Sequence, residues 1–286
     1  MLLAKVVGPG GRRIGLVVVG VAVSSVGVLV PRVVSADSMG EPALMVVQSM
    51  VEHENEAEKH RDNYLYESWE RSDRTGGHLW TEWVAETTEG KVHRLIEEDG
   101  QPLNAARQTE ESARLADVVA HPDAFAKRSQ ALKNDEAHAK DLMQLLPKAF
   151  VFENARTEGR FLKIDFRPNP GYSPKSMEET ILHGMTGSLL VEEPVERLHG
   201  IEARLPQDVS IGFGLLATIH AGSNFSTTRE RVYGNEWKTH SLDTDINGRA
   251  IFFKAIAKKE HAVHKSFTVL PPDMSVGQAV ELLEKQ

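Results

Sequence analysis

Val209-Ser210-Ile211-Gly212-Phe213-Gly214-Leu215-Leu216-Ala217-Thr218-Ile219-His220 is the stretch whose reading decides the fold. Val209, Ile211, Phe213, Leu215, Ala217 and Ile219 are apolar, and most residues between them are small or polar. Strict alternation predicts a β-strand with one buried face. A strand from Val209 to Ile219 is about twice the usual length. Gly212 and Gly214 on its second face favour a bend or a close approach by another group. A long, bent strand that is apolar on one side belongs in a curved sheet wrapped around an apolar interior. The expected wall of that interior is Ile211, Phe213, Leu215 and Ile219, joined by Leu162, Ile164 and Phe166 from a strand upstream. A cavity of about 300–1,000 Å³ is what such a wall needs to hold a lipid-sized guest. The other outcome is that these residues pack against helices as a dry core.

The rhythm of strands continues on both sides. Downstream, Ser226–Tyr233, Trp237–Asp243, Ala250–Lys258 and His264–Val269 alternate, with Gly234-Asn235 and Asn247-Gly248 as turn pairs. Upstream, Thr186–Glu193 and Val195–Leu205 alternate, and Ala149–Glu158 with Arg160–Arg167 predicts a hairpin turning at Glu158-Gly159. Ser176, with Glu179 completing a capping box, predicts a short helix to His183. Nearer the start, Tyr64–Ser72, His78–Thr87 and Lys91–Glu97 are separated by Gly-containing turns and form an antiparallel meander.

Helical periods occupy three places. Glu41 to about Asn63 has an apolar stripe through Leu44 and Val47, with Pro42 in the first turn. From Gln108 to Leu146 the apolar residues recur at helical spacing, with a restart at Pro122 and a stop at Pro147. This charged insert is expected on the sheet or over its mouth. Ser275–Lys285 closes the chain as a short helix after Pro271-Pro272.

The first 36 residues predict an export signal. Lys5, Arg12 and Arg13 are basic, Ile14–Val30 is an uncharged run of 17 residues, and Val34-Ser35-Ala36 is a small-residue cleavage site. The same run is at the short limit for a retained membrane anchor. Export places the chain in the periplasm or outside the cell, or on a membrane if the segment stays. Of 33 basic and 41 acidic residues, the leader holds four basic and no acidic ones, so the remainder has a formal charge of −12. That balance argues against nucleic acid as a partner. Cysteine is absent, which removes disulfides, thiolate nucleophiles and thiolate metal sites.

No motif supplies a catalytic set, and neither a metal nor a cofactor is expected. Gly-x-Ser-x-Gly is missing. His261 and His264 are three apart on a strand and face opposite sides, which suits no metal. Asp243 and Asp245 share a face just before Asn247-Gly248 and are expected as turn residues. Asn224-Phe225-Ser226 has the form of a glycan acceptor. Trp69, Trp80, Trp83 and Trp237 are expected in ordinary sheet packing.

The order of helix, three strands, helical insert and strand-rich half resembles the LolA/LolB-like family of periplasmic lipoprotein carriers. The stretches that carry the likeness are Leu95-Ile96-Glu97-Glu98-Asp99-Gly100, Leu142-Met143-Gln144-Leu145-Leu146-Pro147, Gly187-Ser188-Leu189-Leu190-Val191-Glu192-Glu193 and Ile201-Glu202-Ala203-Arg204-Leu205. The resemblance implies an α+β fold: a strongly curved antiparallel sheet forming an incomplete β-barrel over 37–270, covered by helices, with the insert at 108–146. It implies a non-catalytic carrier of lipid or an acylated lipoprotein in outer-membrane lipoprotein sorting. The alternative is an envelope interaction or sensor module that binds a protein partner.

Overall fold

The computed structural model describes residues 37–212, 216–250 and 254–286. The predicted leader therefore lies outside the described residues, as do Phe213 and Leu215 of the expected wall. The fold is α+β: one antiparallel sheet with helices on both faces.

Helix α1 (Asp37–Ala57) precedes the meander β1 (Asn63–Ser72), β2 (Trp80–Glu86) and β3 (Lys91–Glu98), which ends on the two-residue β4 (Gln101–Pro102). The insert is α2 (Ala105–Ala120) and α3 (Pro122–Ala149). The hairpin β5 (Phe150–Glu158) and β6 (Phe161–Pro168), helix α4 (Met177–His183), and strands β7 (Thr186–Glu192) and β8 (Arg197–Arg204) follow. The last part holds β9 (Val209–Ile211), β10 (Ala217–Ile219), β11 (Asn224–Tyr233), β12 (Glu236–Ala250), β13 (Lys254–Leu270) and α5 (Val276–Leu283). Strand order is β4-β3-β2-β1-β13-β12-β11-β8-β7-β6-β5, with β9 and β10 attached to β12. The first strand thus pairs with the last, and the sheet is left open between β3/β4 and β5.

One contact shows that the sheet curls. Lys238 on β12 places Nζ 2.8 Å from Oε2 of Glu86 on β2. The two strands are three places apart, and a flat sheet would hold them about 14 Å from each other. The face on which Lys238 and Glu86 meet is therefore concave. Register assigns the rest. Ile164, Leu189, Ile201, Thr227, Leu242 and Ala262 face one another across six strands on the concave side. Asp165, Ser188, Glu202, Ser226, Asp243 and His261 form the neighbouring row on the convex side.

Helices sit on both sides. On the concave side, Ala43, Val47, Met50 and Val51 of α1 pack with Phe152, Ile164, Phe166, Leu189 and Val191. On the convex side, α2 and α5 put Leu115, Val118, Val276 and Leu283 against Leu65, Ala85 and Val92. Helix α2 also protects the edge of β3: Leu95 N–H donates to Glu111 at 2.9 Å, and Arg114 donates to the carbonyl of His93. Side chains of α2 thus stand in for a missing strand at an edge that would otherwise invite pairing.

Several expectations are corrected. The stretch from Val209 to Ile219 is a hairpin of two short strands, with Ile211 opposite Ala217 and Val209 opposite Ile219. Gly212 takes φ 59°, a left-handed conformation that breaks the strand there. Asn247-Gly248 is no turn, since β12 runs straight through it. Gly248 is there because β10 lies against it: a Cβ would sit 2.5 Å from the carbonyl oxygen of Thr218. Pro147 falls inside α3, which continues to Ala149. Ser176 caps α4, but Glu179 reaches back to the N–H of Lys175 and the hydroxyl of Tyr172, so no capping box forms.

Candidate binding face

The concave face has three parts, set side by side by the strand order. Under α1 lies the apolar part. Ile164, Phe166, Ile211 and Ile219 are all buried there, and Leu162 packs against them half-buried. The predicted residues that are described therefore do come together on one face. Their wall is covered by α1 rather than open, because the stripe through Val47 and Met50 is itself apolar and fits against it. Polar bonds hold that helix down. Glu54 accepts from Arg197 Nε at 2.8 Å, from Leu198 N–H at 3.0 Å and from Arg229. Burial opposes the charge on Glu54, but Arg229 and Arg197 outweigh it and lower its pKa. Ser49 adds a bond to Glu196.

The polar part lies on β1 to β3 and the far halves of β12 and β13. Arg74 binds Glu82 at 3.1 Å and Glu70 at 3.1 Å, and His93 Nδ1 is 3.2 Å from Glu82. Glu82 is 2% exposed. Burial pushes its pKa up, yet His93 and Arg74 together bring it down to about 2. Lys238 approaches the Tyr64 ring to 4.4 Å as well as binding Glu86. His240 Nδ1 lies 3.0 Å from the carbonyl of His264, and His264 Nδ1 lies 3.1 Å from the carbonyl of Thr239. A carbonyl only accepts, so each Nδ1 carries a proton. Burial lowers the pKa of His264.

Between these parts runs a strip that no helix among the described residues covers. Phe225 on β11, Leu242 and Ile246 on β12, and Ile256 on β13 point to the concave side, all half-buried. Ile246 and Ile256 abut the cluster under α1. Thr244, Lys258 and Glu260 interleave with them, Lys258 lying 3.3 Å from Glu260. The strip is thus apolar with a charged border. In the sequence the strip is masked by Asn247-Gly248, which has the form of a turn pair directly after Leu242–Ile246.

Helix α3 is buried at Phe125 and Ser129 near its start and at Leu146 and Ala149 near its end, and its middle stands out. Residues 130–139 are exposed on every side, Leu132 at 55%. Among the described residues, long side chains tie that section down: Lys133 to the carbonyl of Thr88 at 2.7 Å, and Glu136 to Lys91 at 2.6 Å and to Arg61 at 3.9 Å. The expected apolar stripe from Leu132 to Leu146 is therefore buried at its C-terminal end alone.

The remaining candidates are placed as follows. His261 faces the convex side with Nδ1 2.5 Å from Asp243, and Asp245 pairs with Lys259 at 3.3 Å. Both aspartates are strand residues that pair with side chains of the next strand, not turn residues. Ser226 lies opposite Asp243, so the carboxylate is central. A hydroxyl relay needs the imidazole in that place. Trp83 packs on the convex cluster, Trp80 donates to Glu98 at 3.1 Å, and Trp237 is buried. Among the described residues, no group of three or more His, Asp or Glu is placed to hold a metal ion, and no helix is long and apolar enough to cross a membrane. Comparison with family models, with curated proteins and with solved structures finds no match.

Proposed function

We propose that the chain is an exported, non-catalytic carrier that holds an acyl-bearing molecule, a lipid or an acylated lipoprotein, against the concave face. The observation that carries this reading is the half-buried strip of Phe225, Leu242, Ile246 and Ile256 beside α1, free of helices among the described residues, with Lys258 and Glu260 at its border for a polar head. The likeness to lipoprotein carriers in the order of elements supports it too. The wall moves accordingly: the guest lies next to Ile211, Ile219, Leu162, Ile164 and Phe166, not on them.

Magnitudes limit the arrangement. A guest seated on one wall loses about half its contact with water, or about 0.4 kcal/mol per methylene. A twelve-carbon chain then gains about 5 kcal/mol, short of the roughly 8 kcal/mol of a micromolar complex. Covering the second side would supply the rest.

Titration with a fluorescent fatty acid tests this. Ile246→Glu should abolish saturable binding while circular dichroism stays unchanged. Binding that survives in the folded variant rejects the strip. A second reading, an interaction module, draws on the same all-round exposure of residues 130–139. A stoichiometric protein partner recovered without lipid from envelope extract favours that reading.

A further inference from the structure

We infer that the convex face of β7, β8 and β11 carries a second site, separate from the acyl strip, for a small zwitterion of dipeptide length. A cleft of about 230 Å³ opens there. Register arranges its polar side chains in two rows. Thr186, Arg204 and Asn224 lie abreast, and Ser188, Glu202 and Ser226 lie abreast two residues along. The first row offers a guanidinium flanked by a hydroxyl and an amide, which suits a carboxylate. The second offers a carboxylate between two hydroxyls, which suits an ammonium.

The two charged groups are open, while Asn224 donates to the carbonyl of Gly222 at 3.1 Å. Among the described residues, Arg204 and Glu202 have no hydrogen bond or ion pair through their side chains, and both are exposed. Their neighbours are already matched: Asp165 is 3.2 Å from Arg156, and Asp245 is 3.3 Å from Lys259. The floor is built by a constraint. At Gly187 a Cβ would fall 1.8 Å from the carbonyl oxygen of Glu202, so only glycine permits the pinch between β7 and β8. The spacing selects the ligand. Residues two apart on a strand are about 6.7 Å apart, and an extended dipeptide spans about 7 Å from its ammonium to its carboxylate. A single α-amino acid is too short to reach both rows.

The test is amide NMR on the whole chain, titrated with dialanine, N-acetyl-dialanine and dialanine amide. Dialanine should shift the amides of 186–188, 202–204 and 224–226 saturably, and each blocked form should bind about tenfold more weakly. Arg204→Gln should erase the preference for a free carboxylate, and Glu202→Gln the preference for a free ammonium. Both residues are exposed, so the unperturbed amides report that the fold is kept. Absence of saturable shifts, equal binding of the blocked forms, or unchanged preference in both variants overturns the proposal. None of these outcomes bears on fatty-acid binding at the concave strip.

Discussion

The ammonium of Lys238 lies 2.8 Å from the carboxylate of Glu86, on strands that a flat sheet would hold far apart. Both side chains are nearly sealed from water, at 8% and 9% exposed. The pair therefore reports the curl and depends on it. Removing one partner leaves a charge in a poor solvent, at a cost of about 3 kcal/mol. Lys238→Met or Glu86→Gln should each lower the unfolding free energy from urea titration by that amount, and the double change to Met at both positions should recover most of it.

Acid should weaken the fold through Glu82. Its pKa falls from 4.5 to about 2 on folding. A depressed carboxylate contributes stability that is complete above about pH 4.5 and is lost as pH falls toward about 2. The contribution is about 3 kcal/mol. Urea unfolding measured between those limits should show the loss, and Glu82→Gln should flatten the slope while lowering stability at neutral pH.

His264 acts with the same sign at higher pH. Burial lowers its pKa below 6.5, so the unfolded chain takes the proton first. Stability is then full above about pH 6.5 and declines below it. His264→Asn keeps a donor toward the carbonyl of Thr239 and should remove that part of the pH dependence, as read by thermal midpoints at pH 7.5 and 5.5.

Gly248→Val drives a side chain into the carbonyl of Thr218 and the side chain of Ile219. The hairpin of β9 and β10 should lift from β12, at about 1–3 kcal/mol. Hydrogen exchange should quicken at the backbone amides of Val209–Ile211 and Ala217–Ile219 while those of β1 and β2 stay protected.

Much of this architecture is legible in the residues themselves. The meander, the two-part insert breaking at Pro122, and the shared face of Leu162, Ile164 and Phe166 follow from periodicity and turn chemistry alone. What misleads is glycine, whose role depends on tertiary surroundings. Gly212 looks like a bend in a strand and instead ends it, with φ 59°. Gly248 looks like half of a turn and instead makes room for β10. Local sequence carries no sign of which neighbour will press on a missing side chain. The same blindness covers Glu54, which reads as one charge in the solvated stretch from Glu52 to Arg61. Its partners Arg197 and Arg229 are 143 and 175 residues away. Alternation told which residues share a wall, but whether α1 or a guest would cover that wall was beyond it.

The most direct measurement is mass spectrometry of the organic extract from the chain purified under native conditions, beside Ile246→Glu purified in the same way. The account predicts an acyl-bearing species near one per chain in the first sample and its depletion in the second. A folded wild-type chain that yields no acyl-bearing species, or a variant that yields as much as the wild type, contradicts it.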